Sequence, residues 1–212
     1  MAVLYFKLGV LHYYFILFNL RGLHEKKSLK MKKHPIEIFS EWVINGKDDG
    51  MEKNHQESVN NMLEYILKDL PHFSFIDAGC GTGWVVRMVS QKNSCFEAIG
   101  VDGSKNMIEK AKRIDPLNEY ICADLLNWKP KSKIDVVHSM EVLYYFEDPY
   151  LVLKNFYDNW LKKDGRLIIG IDFYTENLSS HDWPKKTKVS IMNLMSTSKW
   201  IKLFEKTGFK NI

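Results

Sequence analysis

Ten consecutive residues constrain this chain more than any other stretch: Phe75-Ile76-Asp77-Ala78-Gly79-Cys80-Gly81-Thr82-Gly83-Trp84. An apolar strand pattern leads into the glycines and a helical pattern, Trp84–Ser90, leaves them. Glycines at such a strand-to-helix turn permit left-handed backbone and close approach of a ligand, while the first amides of the helix remain available to it. A dinucleotide-binding turn would read G-x-G-x-x-G/A. Here the glycines fall at 79, 81 and 83, and Trp84 fills the place where that fingerprint needs a small residue. Asp77, two positions before the first glycine, would repel a pyrophosphate and suits a cationic ligand group instead. Both features argue against a nicotinamide oxidoreductase.

The pattern after the turn repeats. Phe96–Val101 reads as a strand and Lys105–Ile114 as a helix. Tyr120–Ala123 and Ile134–Ser139 read as strands, and Tyr150–Leu161 as a helix. Arg166–Phe173 is a mostly continuous apolar strand, and Ser198–Lys206 a helix closed by Gly208. Strands alternating with helices predict a mostly parallel sheet covered on both faces, an α/β fold. Before it, 36–45 is a short amphipathic stretch ended by Asn45-Gly46. A second helix is expected from about Met51 to Leu70, stopped at Pro71.

Two further segments fall at strand ends. Gly100-Val101-Asp102-Gly103-Ser104 places Asp102 nineteen residues after Gly83, close to the spacing of about 20 at which a ribose-binding acid follows a glycine turn. Asp102 or Ser104 also qualifies as the cap of the next helix. Asp135-Val136-Val137-His138-Ser139-Met140-Glu141 ends the fourth strand of this series, and ligands in open α/β sheets sit beyond the carboxyl ends of strands.

In the order and spacing of these segments, residues 55–210 resemble the class I S-adenosylmethionine-dependent methyltransferases. The resemblance implies a Rossmann-like three-layer sandwich with a mostly parallel sheet, S-adenosylmethionine as cofactor and S-adenosylhomocysteine as product. It implies that the loop of Gly79, Cys80, Gly81 and Gly83 cradles the amino-acid part of the cofactor, with Asp77 near its ammonium. Asp102, with Gly103 and Ser104 beside it, would take the ribose. Asp124 would accept from the adenine amino group, flanked by Ala123 and Leu125. Met107 would lie near the adenine or simply in the core, and Ser139 at the end of its strand near the cofactor. The family's sheet ends with an antiparallel hairpin, and this chain reaches Ile212 where that strand should begin. The resemblance therefore predicts a sheet without the hairpin and raises the alternative of a non-catalytic or truncated cofactor binder.

Charge and composition bear on the partner. The chain carries +4, but Lys7, Arg21, Lys26, Lys27, Lys30, Lys32 and Lys33 oppose only Glu25 in the first 34 positions, so the remainder is left at −2. A mildly acidic body argues against a nucleic-acid substrate and for a small molecule, although a protein or nucleic-acid methyltransferase stays as an alternative. Cys80, Cys95 and Cys122 show no paired ligand spacing, which predicts neither a disulfide framework nor a metal site and points to a reducing, cytoplasmic setting.

The expected domains are an apolar and basic extension, 1–34, and a methyltransferase domain, 35–212, with lid helices in 35–70 and the core in 71–212. The apolar run Leu8–Leu20 is short for a span of ~20 residues. It has three readings: an upstream extension ahead of a working start near Met31, a membrane anchor making contact through 1–33, or a helix packed on the domain.

Methyl transfer from a sulfonium needs positioning above all, and a base only when the nucleophile arrives protonated. The catalytic candidates are His181, beside Asp182 in the polar-aromatic stretch Asp172–Asn193, with Tyr144 and His138. His138 reads equally as a satisfied strand-end histidine, and His181 as an exposed loop residue. Tyr145, Tyr174, Glu176 and Trp183 are further substrate-side candidates, and Trp42 with Lys47–His55 are candidates to close over the cofactor.

Overall fold

A computed structural model describes residues 1–6, 32–48 and 50–212 of the chain. The six strands are β1 (Ala2–Phe6), β2 (Phe73–Ala78), β3 (Cys95–Asp102), β4 (Glu119–Cys122), β5 (Ile134–Met140) and β6 (Leu161–Ile171). They form one sheet in the order β1-β6-β5-β2-β3-β4, and every pairing is parallel. The helices are α1 (Pro35–Ile44), α2 (Met51–Leu67), α3 (Trp84–Ser90), α4 (Lys105–Ile114), α5 (Pro149–Asn155), α6 (Trp183–Thr187) and α7 (Thr197–Thr207).

Local chemistry sets the helix ends. Ser104 caps α4, its Oγ accepting from Met107 N at 3.3 Å, and Lys112 and Arg113 occupy the last turn, where the helix dipole favours cations. Asp148 caps α5 with Pro149 in the first turn. Ser196 opens α7, and Gly208, at φ 113°, closes it by donating to the Phe204 and Glu205 carbonyls. Helix α2 ends at Leu67, short of Pro71, because Lys68 turns extended and Asp69 adopts φ 61°.

The sheet is covered on both faces, which is why its central strands send apolar side chains to both sides. On one face Val59, Met62 and Ile66 of α2, Val86 and Val89 of α3, and Ile108 of α4 pack on Phe73, Phe75, Val136 and Ile168. On the other, Val152 and Leu153 of α5, Trp160, and Trp200 and Phe204 of α7 pack on Ile76, Val137, Leu167 and Ile169. The three-layer α/β architecture expected from the sequence is the one observed.

The strand beside β6 differs from expectation. Ala2–Phe6 lies parallel along Leu167–Ile171, with Ala2 and Leu4 packed toward one core and Val3 and Tyr5 toward the other. Leu167 N donates to Met1 O at 3.1 Å. The β6 edge is thus completed from the front of the chain. The boundary expected at residue 34 consequently does not separate an extension from the domain, because residues 2–6 belong to the sheet and Lys33 forms a bridge with Val189. The apolar run Leu8–Leu20, on which the anchor and packed-helix readings rest, lies outside the described residues. Among the described residues, no helix is long and apolar enough to cross a membrane.

The chain runs outward from β2 in two directions, through β3 and β4 on one side and β5 and β6 on the other. The crevice above the carboxyl ends of β2 and β5 is the position where open α/β sheets bind ligands.

Candidate cofactor and acceptor site

The glycine turn enters this crevice from β2. Gly79, Gly81 and Gly83 have φ of 80°, 52° and 78°, a region side chains disfavour. The amides of Gly79 and Cys80 both donate to Val101 O, at 2.7 and 3.1 Å, which ties the turn to β3. A Cβ on Gly79 would overlap Val142, and one on Gly83 would overlap the Tyr120 ring. On Gly81 it would meet nothing nearer than Met107 Sδ and Met51 Cε, both at 3.9 Å, so Gly81 faces open space.

Three carboxylates stand at the ends of three neighbouring strands. Asp102, at the end of β3, accepts from Gly81 N at 3.0 Å through Oδ2 and from Ser104 N at 2.7 Å through Oδ1. Each oxygen keeps a lone pair for a further donor. Burial pushes its pKa up to about 6 despite those two amides, and the neighbouring charge of Asp77 adds to the rise. Asp77, at the end of β2, lies opposite His138 of β5 in register, and its Oδ1 is 2.7 Å from His138 Nδ1. Both side chains are buried, and His138 Nε2 has no hydrogen-bond partner among the described residues. Asp124, beyond β4, is exposed, and accepts from Leu126 N and Asn127 Nδ2 at 3.0 and 2.7 Å. The Cys80 thiol is buried, and that burial lifts its pKa well above the ordinary value.

Past β5 the wall turns aromatic. Glu141 holds φ 59°, unusual for a residue with a side chain. Its Oε2 accepts from the Tyr144 hydroxyl and its Oε1 from Asp172 N, both at 2.6 Å, so one carboxylate fastens the turn after β5 to the end of β6. Burial, with Glu141 alongside, raises the Tyr144 pKa well above its ordinary value, and burial raises that of Tyr145 too. The Tyr144 and Tyr145 rings sit 4.5 Å apart, Phe39 of α1 meets Tyr145 edge-on at 5.2 Å, and Phe173 packs between Tyr144 and Trp183.

These groups line one cavity of ≈ 2670 Å³. Asp77, Gly79, Cys80, Gly81, Asp102, Gly103, Met107, Ala123, Asp124, Leu125, His138, Tyr144 and His181 all face it, so residues far apart in sequence are brought together as expected. Gly83, Ser104 and Ser139 are not among the lining residues. Gly83 starts α3 against Tyr120. Ser104 Oγ caps α4 and lies 2.7 Å from Ser40 Oγ of α1, and Ser139 Oγ donates to Ala78 O at 2.7 Å. Asp182, the sequence neighbour of His181, pairs with Lys186 at 2.6 Å, while His181 Nε2 lies 3.0 Å from Thr175 O. Tyr5, Phe39 and Ile36 also line the cavity. A Cβ on Gly103 would come within 2.7 Å of Ile36 Cδ1, so α1 sits directly on the turn after β3. Tyr5 carried no sequence signal; Phe39 was visible only as an apolar position of an amphipathic helix.

An all-parallel α/β sheet with a left-handed glycine turn, strand-end carboxylates and a large cavity at its switch point is the architecture of the class I methyltransferase type. Within that class the chain belongs to the methyltransferase-domain family, whose sequence profile matches residues 50–212. S-adenosylmethionine is the methyl donor of this family. Trans-aconitate 2-methyltransferase of Escherichia coli O1:K1 / APEC is 31% identical over 93 residues, 44% of this chain and 36% of that protein. The enzyme of the same name from Agrobacterium fabrum (strain C58) is 30% identical over 93 residues, again 44% and 36%. The match thus spans about a third of the length of these relatives. The methyltransferase solved in complex with the Haloferax volcanii Trm112 methyltransferase activator superposes with a TM-score of 0.73 at 25% identity, over 80% of this chain and 75% of its own. A methyltransferase from Thermotoga maritima shares the fold at 24% identity, with a TM-score of 0.64 over 82% and 81% of the two chains.

Proposed function

We propose that the protein transfers a methyl group from S-adenosylmethionine to a small-molecule acceptor. The observation that carries this reading is Asp102: half-buried at the end of β3, held by two backbone amides, and still offering a lone pair on each oxygen to a pair of vicinal hydroxyls. The residues suit the cofactor. Gly81 leaves open space beside Met107 and Met51, Asp77 brings negative charge to the turn, and Asp124 lies at the next strand end. When bound, the cofactor supplies a methyl on a sulfonium, a good leaving group. The chain's work is then to position it: Asp102 takes the ribose hydroxyls, Asp124 the adenine amino group, and the glycine turn with Asp77 the amino-acid end. Helix α1 rests on Gly103 at this side of the cavity. A cavity of ≈ 2670 Å³ exceeds the roughly 300–1,000 Å³ of a typical single-ligand site, which leaves room for an acceptor beside the cofactor.

Calorimetry of the full chain with S-adenosylmethionine and S-adenosylhomocysteine, with NADH as control, tests this. Saturable binding of the first two, weakened about 10- to 100-fold by Asp102→Ala through loss of hydrogen bonds to a charged group, is the expected result. NADH binding without S-adenosylhomocysteine binding would overturn it.

A further inference from the structure

The acceptor end of the cavity has a chemistry of its own, and we infer that it takes an amine, methylated at nitrogen. This rests on the methyl-transfer reading above. The first observation is charge. Among the described residues, nine carboxylates and three lysines line the cavity, with no arginine. One of the lysines, Lys186, pairs with Asp182. Asp77, Asp102 and Asp124 belong to the cofactor side, whereas Glu141 and Asp172 stand past the ends of β5 and β6 on the far side of the crevice.

The second observation is the donor and acceptor inventory. Glu141 is an acceptor, oriented by the Tyr144 hydroxyl and Asp172 N at 2.6 Å each. The Tyr144 proton is committed to Glu141 and so is not offered to a ligand. His138, with its ring wholly buried, lies with Nδ1 2.7 Å from Asp77 Oδ1, and its Nε2 has no hydrogen-bond partner among the described residues. The carboxylates of Glu141 and Asp172 give this wall acceptors that suit a ligand bringing N–H groups.

The third observation is aromatic. Tyr144, Tyr145, Phe39 and Trp183 line the same region, and aromatic faces attract a cationic nitrogen. A carboxylate acceptor, such as the trans-aconitate in the names of the matched relatives, would meet Glu141 and Asp172 with like charge and find no arginine among the described residues that line the cavity.

The reaction places its charge where this wall can use it. The acceptor's ammonium gives one proton to water, and its nitrogen lone pair forms the new N–C bond. The C–S bond breaks with its electron pair remaining on sulfur, so the positive charge passes from sulfur to nitrogen. Glu141 and the tyrosine faces, fixed beforehand, stabilise the charge developing on nitrogen. For an anionic oxygen acceptor the same transfer would neutralise charge, and the carboxylates would only oppose binding.

The test uses the full chain saturated with S-adenosylhomocysteine, titrated calorimetrically with 2-phenylethylamine, tyramine and benzylamine, with their isosteric alcohols, and with trans-aconitate. At least one amine is expected to bind at least tenfold tighter than its alcohol, with no saturable heat from trans-aconitate. Glu141→Gln, which keeps the Oε1 acceptor for Asp172 N, is expected to weaken the amine tenfold or more and to leave S-adenosylhomocysteine affinity within threefold. Mass spectrometry with S-adenosylmethionine then reads an N-methyl product. Amines no tighter than their alcohols, or tight binding of trans-aconitate, would overturn the amine assignment while leaving the methyl-transfer reading intact. Failure of S-adenosylhomocysteine itself to bind would overturn both.

Discussion

Asp102 couples the site to pH. Desolvation holds its carboxyl at about 6, against 3.8 in the free state. The folded protein therefore holds this proton more tightly than the unfolded chain does. Asp102 weighs least on stability below about pH 4, and its cost grows as pH rises toward 6 and is constant above it. Ligand hydroxyls donating to the ionised form favour that form, so affinity for S-adenosylhomocysteine should rise several-fold between pH 5 and pH 7.5. Asp77, His138 and Cys80 also face this region, so Asp102→Asn is the needed comparison: calorimetry should show a much flatter profile, and an unchanged slope would assign the effect to a neighbour. Gly83 works through the backbone. Gly83→Ala must hold φ 78° and overlap the Tyr120 ring. The combined strain is about 2–5 kcal/mol, read as a fall in Tm of roughly 5–15 °C at about 3 °C per kcal/mol for a domain of this size; a fall under 2 °C would show that the turn relaxes. At this scale Asp77, the glycines, Asp102 and Asp124 were legible because each lies at a fixed offset from a strand end. Glu141's two partners, and the seating of Ile36 on Gly103, were not: they join segments whose approach no local pattern encodes.

Elements were legible where side-chain periodicity and capping residues agree. Helices α3 and α4 run from the residues that the turn and Ser104 dictate, and β3 to β5 fall within a residue or two of their apolar runs. Helix α5 stops at Asn155 and continues as a turn of π-helix, Phe156–Trp160, which periodicity alone merges into one helix. Two tryptophans in the same layer offer a matched test of what fastens these helices. Both are fully buried, but Trp160 Nε1 donates to Trp128 O at 2.8 Å, whereas Trp200 Nε1 has no partner among the described residues. Replacement by phenylalanine removes similar volume from each. Trp160→Phe also removes one of two hydrogen bonds to Trp128 O, leaving the one from Asn155 Nδ2 at 2.9 Å, while Trp200→Phe removes a buried donor that gains nothing. Trp160→Phe should therefore be the more destabilising by about 1–2 kcal/mol, a difference of about 3–6 °C in Tm by thermal unfolding. Equal losses would mean that the Trp128 bond contributes nothing.

For the molecule as a whole, the decisive element is the one that the sequence concealed. Strand β1 is five residues without a turn signal or a neighbouring strand in sequence, and its partner lies at the far end of the chain, so only assembly identifies it. Ala2 is fully buried in the core. Ala2→Asp forces a carboxylate into that position and should displace the strand, lowering Tm by roughly 5–10 °C and leaving β6 as an open edge prone to association. Light scattering and limited proteolysis near the N-terminus would register both effects, and a variant as stable and monodisperse as the parent would show that β1 is dispensable. The pairing also has a consequence in time. Met1 and Gly165, which close the β1–β6 contact, are 164 positions apart. At a synthesis rate of roughly 5–20 residues per second, β1 leaves the ribosome some ten to thirty seconds before its partner exists. Of the described strands, β1 is thus made first and paired last, and for that interval a nascent chain holds an unpaired apolar strand that only the synthesis of β6 can shelter.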